Sequence, residues 1–242
     1  IVLLLPKDMN SAKLYDIFRE IEKAVKELGV AIVGGHSEVT VDIERPVIIA
    51  TAFGETNKGE FVQSSGAKVG DHVILTKGAA IEGTAILSSE LAESLQREID
   101  QRIIKQAQGF IKKISVVKDD LTAVKVGGVH AMHDVTEGGV AAGLQEIAWA
   151  SNVGIVAYEK KIPIHKETEL ICRRLKIDPL KTIGSGALII SAYPEKAEKI
   201  VAALRENDIR AAVVGEIMDK SQGAYILRKD GTTLDLTEPA KE

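Results

Sequence analysis

The stretch "VHAMHDVTEGGV" at residues 129–140 decides the fold of this chain. An apolar run ends at the acidic residue Asp134, a Thr-Glu-Gly-Gly turn follows, and apolar residues then recur at helical spacing. This order predicts a strand that passes through a glycine turn into a helix. Such strand–turn–helix units are the building blocks of α/β domains.

The same turn has the composition of an anion site. Free amides and the positive dipole end at a helix start favour anions, and Gly138 and Gly139 let a phosphate approach the backbone. Asp134 and Glu137 have the wrong charge for phosphate, but they suit a divalent cation such as Mg²⁺, which carboxylates share with substrate phosphates. The alternative is an ordinary helix start, in which Asp134 or Thr136 serves as a cap.

A second glycine turn occurs in "VGGHSEVTV" at residues 33–41. We predict an apolar strand at 30–35, which places Gly34, Gly35 and then His36 at its carboxyl end, where ligands bind in α/β sheets. A lone histidine is usually structural, but the pairing with the turn after Asp134 makes His36 a candidate ligand. Because side chains alternate along a strand, we expect Ser37 to face the site and the following acid to face away.

Two further turns join predicted strands to other elements. "TKGAAIEGTAIL" at 76–87 lacks the GK[ST] of a Walker loop and the GxGxxG of a dinucleotide fold, so it is a weak signal by itself. Its Gly83 would admit a phosphate, and its Lys77 either neutralises one or is solvated; we favour the solvated alternative. "IGSGAL" at 183–188 has a plain tight turn as its alternative.

Composition limits the function classes. The chain has 242 residues, is 45% hydrophobic, and carries a net charge of −4, which argues against a general nucleic-acid binder. Its one cysteine, Cys172, excludes an intramolecular disulfide and a multi-cysteine metal site, and its helical spacing among apolar residues predicts a buried thiol. No apolar run reaches the roughly 20 residues of a membrane span. We expect a cytoplasmic protein without membrane or nucleic-acid partners.

The chain divides into two predicted α/β (α+β) blocks. A helix at 11–29, capped by Ser11, precedes strands at 30–35 and 46–55, and the polar stretch 55–70 reads as a linker. The opening apolar run reads as a strand entered mid-sheet, so we expect residues upstream of it. The predicted domains are 1–58 and 59–242. Helices in the second are predicted near 83–95, 99–114, 115–126, 166–176 and 195–207.

The motifs "VGGHSEVT", "GDHVILTKGAAIEGTAIL", "MHDVTEGGV" and "GSGALII", in this order, resemble the AIR synthase (PurM) superfamily. The likeness is strongest to HypE and AIR synthase-related proteins. It implies a PurM/HypE-like two-domain fold whose N-terminal half-domain sheet is truncated here. It also implies a homodimer through the N-terminal domain, with ATP and Mg²⁺ (or Mn²⁺) between the domains. The family's N-terminal nucleotide-binding segment has no counterpart in this sequence.

The resemblance also implies roles for individual residues. His36 and Asp134 would be metal ligands and catalytic residues. The residues implied to contact the nucleotide or its phosphates are Gly34, Gly35, Ser37, Gly83, Thr136, Glu137, Gly138 and Gly139.

Two departures from the HypE pattern leave three alternative functions open for this chain. Glu137 stands where HypE proteins carry a basic residue, and the ending "LTEPAKE" holds no cysteine of the kind found at the HypE tail. The leading function is ATP-dependent phosphoryl transfer to, or activation of, a small substrate. The alternatives are a metal-dependent phosphatase or kinase acting on a phosphorylated metabolite, and a non-catalytic scaffold that binds a maturation partner protein.

Overall fold

The computed structural model describes residues 1–237 and has the mixed α/β architecture that the sequence predicts. The chain divides into two compact units, Ile1–Phe61 and a larger one that begins at Val62. Residues 238–242, which belong to the ending compared with the HypE tail, lie outside the described residues. No helix within residues 1–237 is both long and apolar enough to cross a bilayer.

The first unit is a three-stranded sheet with one helix. Strand β1 (Val2–Leu5) leads into α1 (Ser11–Leu28), and the chain returns as β2 (His36–Val39) and β3 (Val47–Ile49). The central strand β1 pairs in parallel with β2 and antiparallel with β3, so β1, α1 and β2 form a crossover unit.

The strand predicted at 30–35 is wrong, because these residues pair with no other strand and the ladder begins at His36. The reason is register: β1 is four residues long, and its Val2 lies opposite His36. The strand predicted at 46–55 is also shorter in the structure, where only the residues of β3 pair with β1. Apolar composition correctly indicates that strands occur in this region, but pairing with β1 decides which residues form them.

The helix near the start is as predicted except for its cap. Asn10, rather than Ser11, is the N-cap, and its side-chain oxygen accepts the Lys13 N–H at 2.9 Å. Gly29 ends the helix in the left-handed conformation, with φ 67°.

The second unit is built on a seven-stranded sheet of order β10-β9-β6-β8-β4-β7-β5. All neighbouring strands are antiparallel except β6 and β9. The strands are β4 (His72–Thr76), β5 (Val129–Asp134), β6 (Gly154–Tyr158), β7 (Leu188–Ala192), β8 (Ala211–Met218), β9 (Ala224–Leu227) and β10 (Thr233–Asp235). The helices are α2 (Ile81–Glu90), α3 (Ala92–Leu95), α4 (Gln101–Gln108), α5 (Val117–Val126), α6 (Gly139–Ser151), α7 (Lys166–Leu175) and α8 (Pro194–Glu206).

Four apolar clusters hold these elements together, the smallest of them between α2 and the 3₁₀ turn at residues 109–113. The largest joins the sheet to α6 and includes Leu144 and Ile147. A second joins the sheet to α5 and α8, and a third forms where α4 and α7 pack together through Ile104 and Ile171. The sheet therefore carries helices on both faces, which leaves the ends of its strands to form sites.

Three predicted helix details change. The helix predicted at 99–114 ends at Gln108 and continues as a 3₁₀ turn at Gly109–Lys113, since glycine is a poor helix former. The helix predicted at 83–95 is two helices, α2 and α3. Ser115 does not cap α5, whose first flanking residue is Val116 without a side-chain cap.

The stretch predicted as a linker at 55–70 is only partly a connection. Its second half contains a 3₁₀ turn at Ser64–Gly66, and Gln63 forms a β-bridge with Ala131. Ala67 is buried in the core of the second unit. A polar, glycine-rich composition did not distinguish this packed segment from an exposed one.

Candidate functional site

Three turns meet at one edge of the second sheet. β5 ends at Asp134, which lies opposite Leu188 at the start of β7. On the other side of β7, Leu75 lies opposite Ile189, so β4 also ends at this edge. The turns after β4 and β5 and the loop before β7 are therefore neighbours.

The turn after β5 has the backbone of an anion site. Gly138 and Gly139 both adopt left-handed φ values of 72° and 66°, which glycine takes without the strain of a side chain. The Gly139 N–H donates to Thr136 O at 3.1 Å, whereas within residues 1–237 the amide of the exposed Glu137 has no hydrogen-bond acceptor. This amide, just before α6, is available to an anion.

The loop at residues 177–187 forms the seat of this turn. The Ala141 N–H donates to Leu180 O at 2.9 Å, and the Gly184 N–H donates to Thr136 O at 3.1 Å. A Cβ on Gly139 would lie 2.6 Å from Thr182 O and 2.7 Å from Leu180 O. The alternative of a plain tight turn for "IGSGAL" at 183–188 is wrong, because this loop fixes a turn some 40 residues earlier in the chain.

Gly83 packs against the same loop. It lies within α2, where a Cβ would come 2.5 Å from the Thr182 methyl, and its N–H donates to Ile183 O at 3.0 Å. Both its amide and the space beside its Cα are therefore taken. Gly83 shapes the site through packing.

An ion pair anchors the start of the loop. The Asp178 carboxylate accepts the Leu180 N–H at 2.9 Å and pairs with the Arg228 guanidinium, which also lies 3.7 Å from Glu159. Burial opposes ionisation of Asp178, but the hydrogen bond and charge of Arg228 hold its pKa below the ordinary value. The carboxylate is therefore ionised, and the loop is tied to the end of β9.

Lys77 is neither solvated nor free for a ligand. Its side chain is 13% exposed, and Nζ lies 2.8 Å from both carboxylate oxygens of Asp119 and 2.7 Å from Gly186 O. Burial lowers the pKa of Lys77, and Asp119 opposes that shift. The favoured solvated reading is wrong: the charge links the turn after β4 to α5 and to the loop before β7.

His133 and Asp134 have different surroundings, as alternation along β5 predicts. His133 Nδ1 lies 2.9 Å from Ser64 Oγ, and Nε2 lies 2.5 Å from a carboxylate oxygen of Glu146 on α6. Asp134 is exposed at the strand end, as is Glu137 in the turn. No local pattern in the sequence marks Ser64 or Glu146, because only the fold brings these side chains to His133.

The residues predicted in the first unit lie around β2. Gly34 and Gly35 precede the strand and His36 begins it, so their predicted place at a carboxyl end is wrong. Gly35 is close-packed, since a Cβ would lie 2.0 Å from Ile1 O. A cavity of about 220 Å³ is lined by these three residues and by Ser37.

The donor set limits the metal that could bind. Within residues 1–237 no group of three or more His, Cys, Asp or Glu side chains could enclose a metal ion. Asp134 and Glu137 supply carboxylate oxygens near the free amide of Glu137. Mg²⁺ is commonly held by one or two carboxylates and completed by phosphate oxygens and water, so these residues fit a shared metal–phosphate arrangement.

Cys172 is buried, as the sequence predicted. Burial raises the pKa of its thiol to about 11. A thiol that stays protonated at neutral pH is a poor nucleophile.

Comparison with known proteins places these observations in a family. Residues 68–228 match the family model described as AIR synthase related protein, C-terminal domain. A putative hydrogenase expression/formation protein of Methanocaldococcus jannaschii is 30% identical over 228 residues, 93% of this chain and 65% of that protein. The carbamoyl dehydratase HypE of Rhizobium leguminosarum is 32% identical over 202 residues, 81% of this chain and 55% of that protein.

Solved structures share the fold. Escherichia coli HypE superimposes with a TM-score of 0.80 and 22% identity, over 100% of this chain and 73% of that one. A HypE structure solved in complex with ATP gives a TM-score of 0.74 and 20% identity, over 99% and 72%. These values confirm the HypE-like fold, and the chain spans about 55–65% of the length of the curated relatives named here.

Proposed function

Because the chain belongs to the family of AIR synthase-related proteins, we propose that it binds ATP with Mg²⁺ or Mn²⁺ and uses it to phosphorylate or activate a small substrate. The observation that carries this proposal is the Gly138–Gly139 turn, in which the free amide of Glu137 lies three residues after the exposed Asp134. The HypE structure solved with ATP, which has the same fold, supports it.

In this proposal each residue of the turn has a stated task. The amide of Glu137 holds a phosphate oxygen, and Thr136 lines the same turn. Asp134 and Glu137 hold the divalent cation, which supplies neutralising charge when it is bound. Phosphoryl transfer depends mainly on positioning and charge neutralisation, so a rigid turn seated on a buried loop suits it.

For the first unit we propose a metal-binding role for His36, with Ser37, Gly34 and Gly35 lining the same cavity. Imidazole is a better ligand for Mn²⁺ than for Mg²⁺, which strongly prefers oxygen. If His36 is a metal ligand, Mn²⁺ should therefore support nucleotide binding better than Mg²⁺ does.

We also propose that the first unit pairs with a second copy of the chain. Its β3 leaves Val47, Ile48 and Ile49 between 40% and 49% exposed. A sheet with this many exposed apolar side chains is a candidate interface.

A maturation scaffold is the second candidate. The relatives described as hydrogenase expression/formation proteins favour it. Such a protein would bind a partner protein without catalysing a reaction. The turn after β5 would then only stabilise the fold.

Calorimetry on the full-length protein separates these candidates. Mg-ATP and Mn-ATP are titrated into the wild type, into Asp134→Asn, and into Asp208→Asn as the matched control. Asp208 is exposed at a left-handed position that asparagine tolerates. Phosphate release is then followed with a panel of small substrates.

We expect Asp134→Asn to weaken metal–nucleotide binding by about tenfold or more, since it removes a charged ligand, whereas the control binds normally. Unchanged binding in Asp134→Asn would refute its role as a metal ligand. Absence of nucleotide binding in the wild type, with tight capture of a purified HypF-type maturation protein, would establish the scaffold instead.

A further inference from the structure

A cluster of basic residues lies at the same sheet edge, on the side of β4 and β8. It consists of Lys113, His165 and Arg210, and we refer to it as the basic cluster. Lys113 ends the 3₁₀ turn after α4, His165 is the N-cap of α7, and Arg210 immediately precedes β8. Three elements that are distant in sequence thus bring their basic side chains to one place.

Close contacts hold the cluster together. The Arg210 carbonyl accepts the Lys77 N–H at 2.6 Å, and the Arg210 guanidinium donates to Ile164 O at 3.5 Å. The His165 ring lies 4.8 Å from the Phe110 ring, between centroids, and Lys113 Nζ lies 4.4 Å from the centroid of that same ring. Phe110 therefore serves as an apolar floor between the histidine and the lysine.

Lys113 and Arg210 are exposed and form no ion pair in the part of the chain that the structure describes. Among residues 1–237, no carboxylate lies within 4.0 Å of Lys113 or Arg210. The neighbouring Lys77 differs, since Asp119 offsets its charge. Holding like charges together is unfavourable unless an anion compensates them.

His165 lies within the field of these cations. Burial lowers the pKa of its imidazole, and the charges of Lys113 and Arg210 lower it further, against the opposing charge of Glu167. At neutral pH the ring is therefore uncharged, and the Lys77 backbone engages one of its two nitrogens. A neutral imidazole beside two fixed cations is suited to orient an anion without adding to the repulsion.

We propose that Lys113, His165 and Arg210 form a binding site for a phosphate group. Guanidinium and ammonium groups are the usual ligands of phosphate, the first through paired N–H donors and the second as a point charge. The site and the turn at Gly138–Gly139 lie at the same edge of the sheet, where β4 and β7 lie between β8 and β5. This shared edge suits a phosphomonoester substrate bound beside the nucleotide, an identification that rests on the proposed function, whereas phosphate binding itself does not.

The test uses the full chain at low ionic strength, with histidine side-chain resonances followed by NMR as inorganic phosphate or glycerol phosphate is added. His165→Gln assigns the His165 signal among the five histidines. Arg210→Gln and Lys113→Gln remove the proposed ligands. Lys112→Gln is the matched control, because Lys112 is exposed and adjacent in sequence but outside the cluster.

We expect a saturable shift of the His165 resonance, with the Kd raised about tenfold in Arg210→Gln and less in Lys113→Gln. Lys112→Gln should leave it unchanged. A tighter response to glycerol phosphate than to inorganic phosphate identifies a phosphomonoester as the ligand. The reverse order identifies free phosphate and overturns the substrate assignment.

Failure of the inference differs from failure of the proposed function. The absence of a saturable His165 shift, or equal weakening in Arg210→Gln and Lys112→Gln, overturns the site. Phosphate binding at His165 should persist in Asp134→Asn, which loses metal–nucleotide binding. If the wild type binds no nucleotide but still binds phosphate at His165, the site stands and the nucleotide proposal falls.

Discussion

Gly139 is the residue at which the turn after β5 is most sensitive to change. Gly139→Ala would place a methyl group 2.6 and 2.7 Å from the carbonyl oxygens of Thr182 and Leu180, at a φ of 66°. An L-residue in this conformation costs about 1–2 kcal/mol, and an overpacked contact with atoms that cannot rotate away costs about 1–3 kcal/mol more. We therefore expect Gly139→Ala to lower the free energy of unfolding by about 2–5 kcal/mol.

A second glycine separates the two costs. Gly231 has a φ of 87°, and a Cβ there would meet no atom within 4 Å. Gly231→Ala should therefore lose only the conformational part, about 1–2 kcal/mol. Both variants lie in the second unit, so they can be compared in one unfolding transition.

Urea denaturation followed by fluorescence measures the difference. The single tryptophan, Trp149, lies on α6, the helix that Gly139 begins. The same variants are then tested for metal–nucleotide binding, which Gly139→Ala should lose because the amides of the turn would shift. If the two variants are equally stable, the close approach of the loop at 177–187 does not hold in solution, and the reasoning is refuted.

Three further changes test the contacts around the site. Asp119→Asn leaves Lys77 buried without its counter-charge, so the free energy of unfolding should fall by about 3–5 kcal/mol; a loss below 1 kcal/mol in urea titrations would contradict the burial of the pair. Arg228→Gln removes the cation that keeps the pKa of Asp178 low. A lowered carboxyl pKa stabilises the fold above its unfolded value of about 3.9 and ceases to do so as pH falls through the folded pKa. The stability gap between wild type and Arg228→Gln should therefore be full at pH 7 and shrink below about pH 4; a gap independent of pH would exclude Asp178 as the cause. Cys172, with its pKa near 11, should resist iodoacetamide at pH 8 in the native protein and react in urea, as mass spectrometry would show. Rapid native labelling would place that thiol at the surface.

Sequence reasoning succeeded where the signal was local. The order of apolar run, acid, double glycine and helical spacing predicted β5, the turn and α6, and both glycines have the left-handed φ that such a turn needs. His133 and Asp134, adjacent along β5, have different surroundings, as the alternation of side chains along a strand dictates. The helix at 11–29 followed from its apolar spacing in the same way.

The misreadings share a different cause. The strand around His36 was shifted because its pairing with Val2 is set across the sheet. Lys77 was read as solvated because its partner Asp119 is 42 residues away in the chain. The tight-turn alternative stayed open for residues 183–188 because the acceptors of this loop serve amides of α6 and α2 that no local pattern connects to it.

The sequence by itself thus determined the elements and the chemistry of the turn, because periodicity and glycine conformation depend on neighbouring residues. It determined the family for the same reason, since the motifs are short and ordered. Only the tertiary structure decided which polar groups are paired within the protein and which are available to a ligand. That distinction depends on distances between residues that are far apart in sequence. Because an unpaired buried charge is costly, the buried Lys77 needs a partner such as Asp119. The tertiary structure leaves Asp134 exposed and the amide of the exposed Glu137 free of a hydrogen-bond acceptor within residues 1–237.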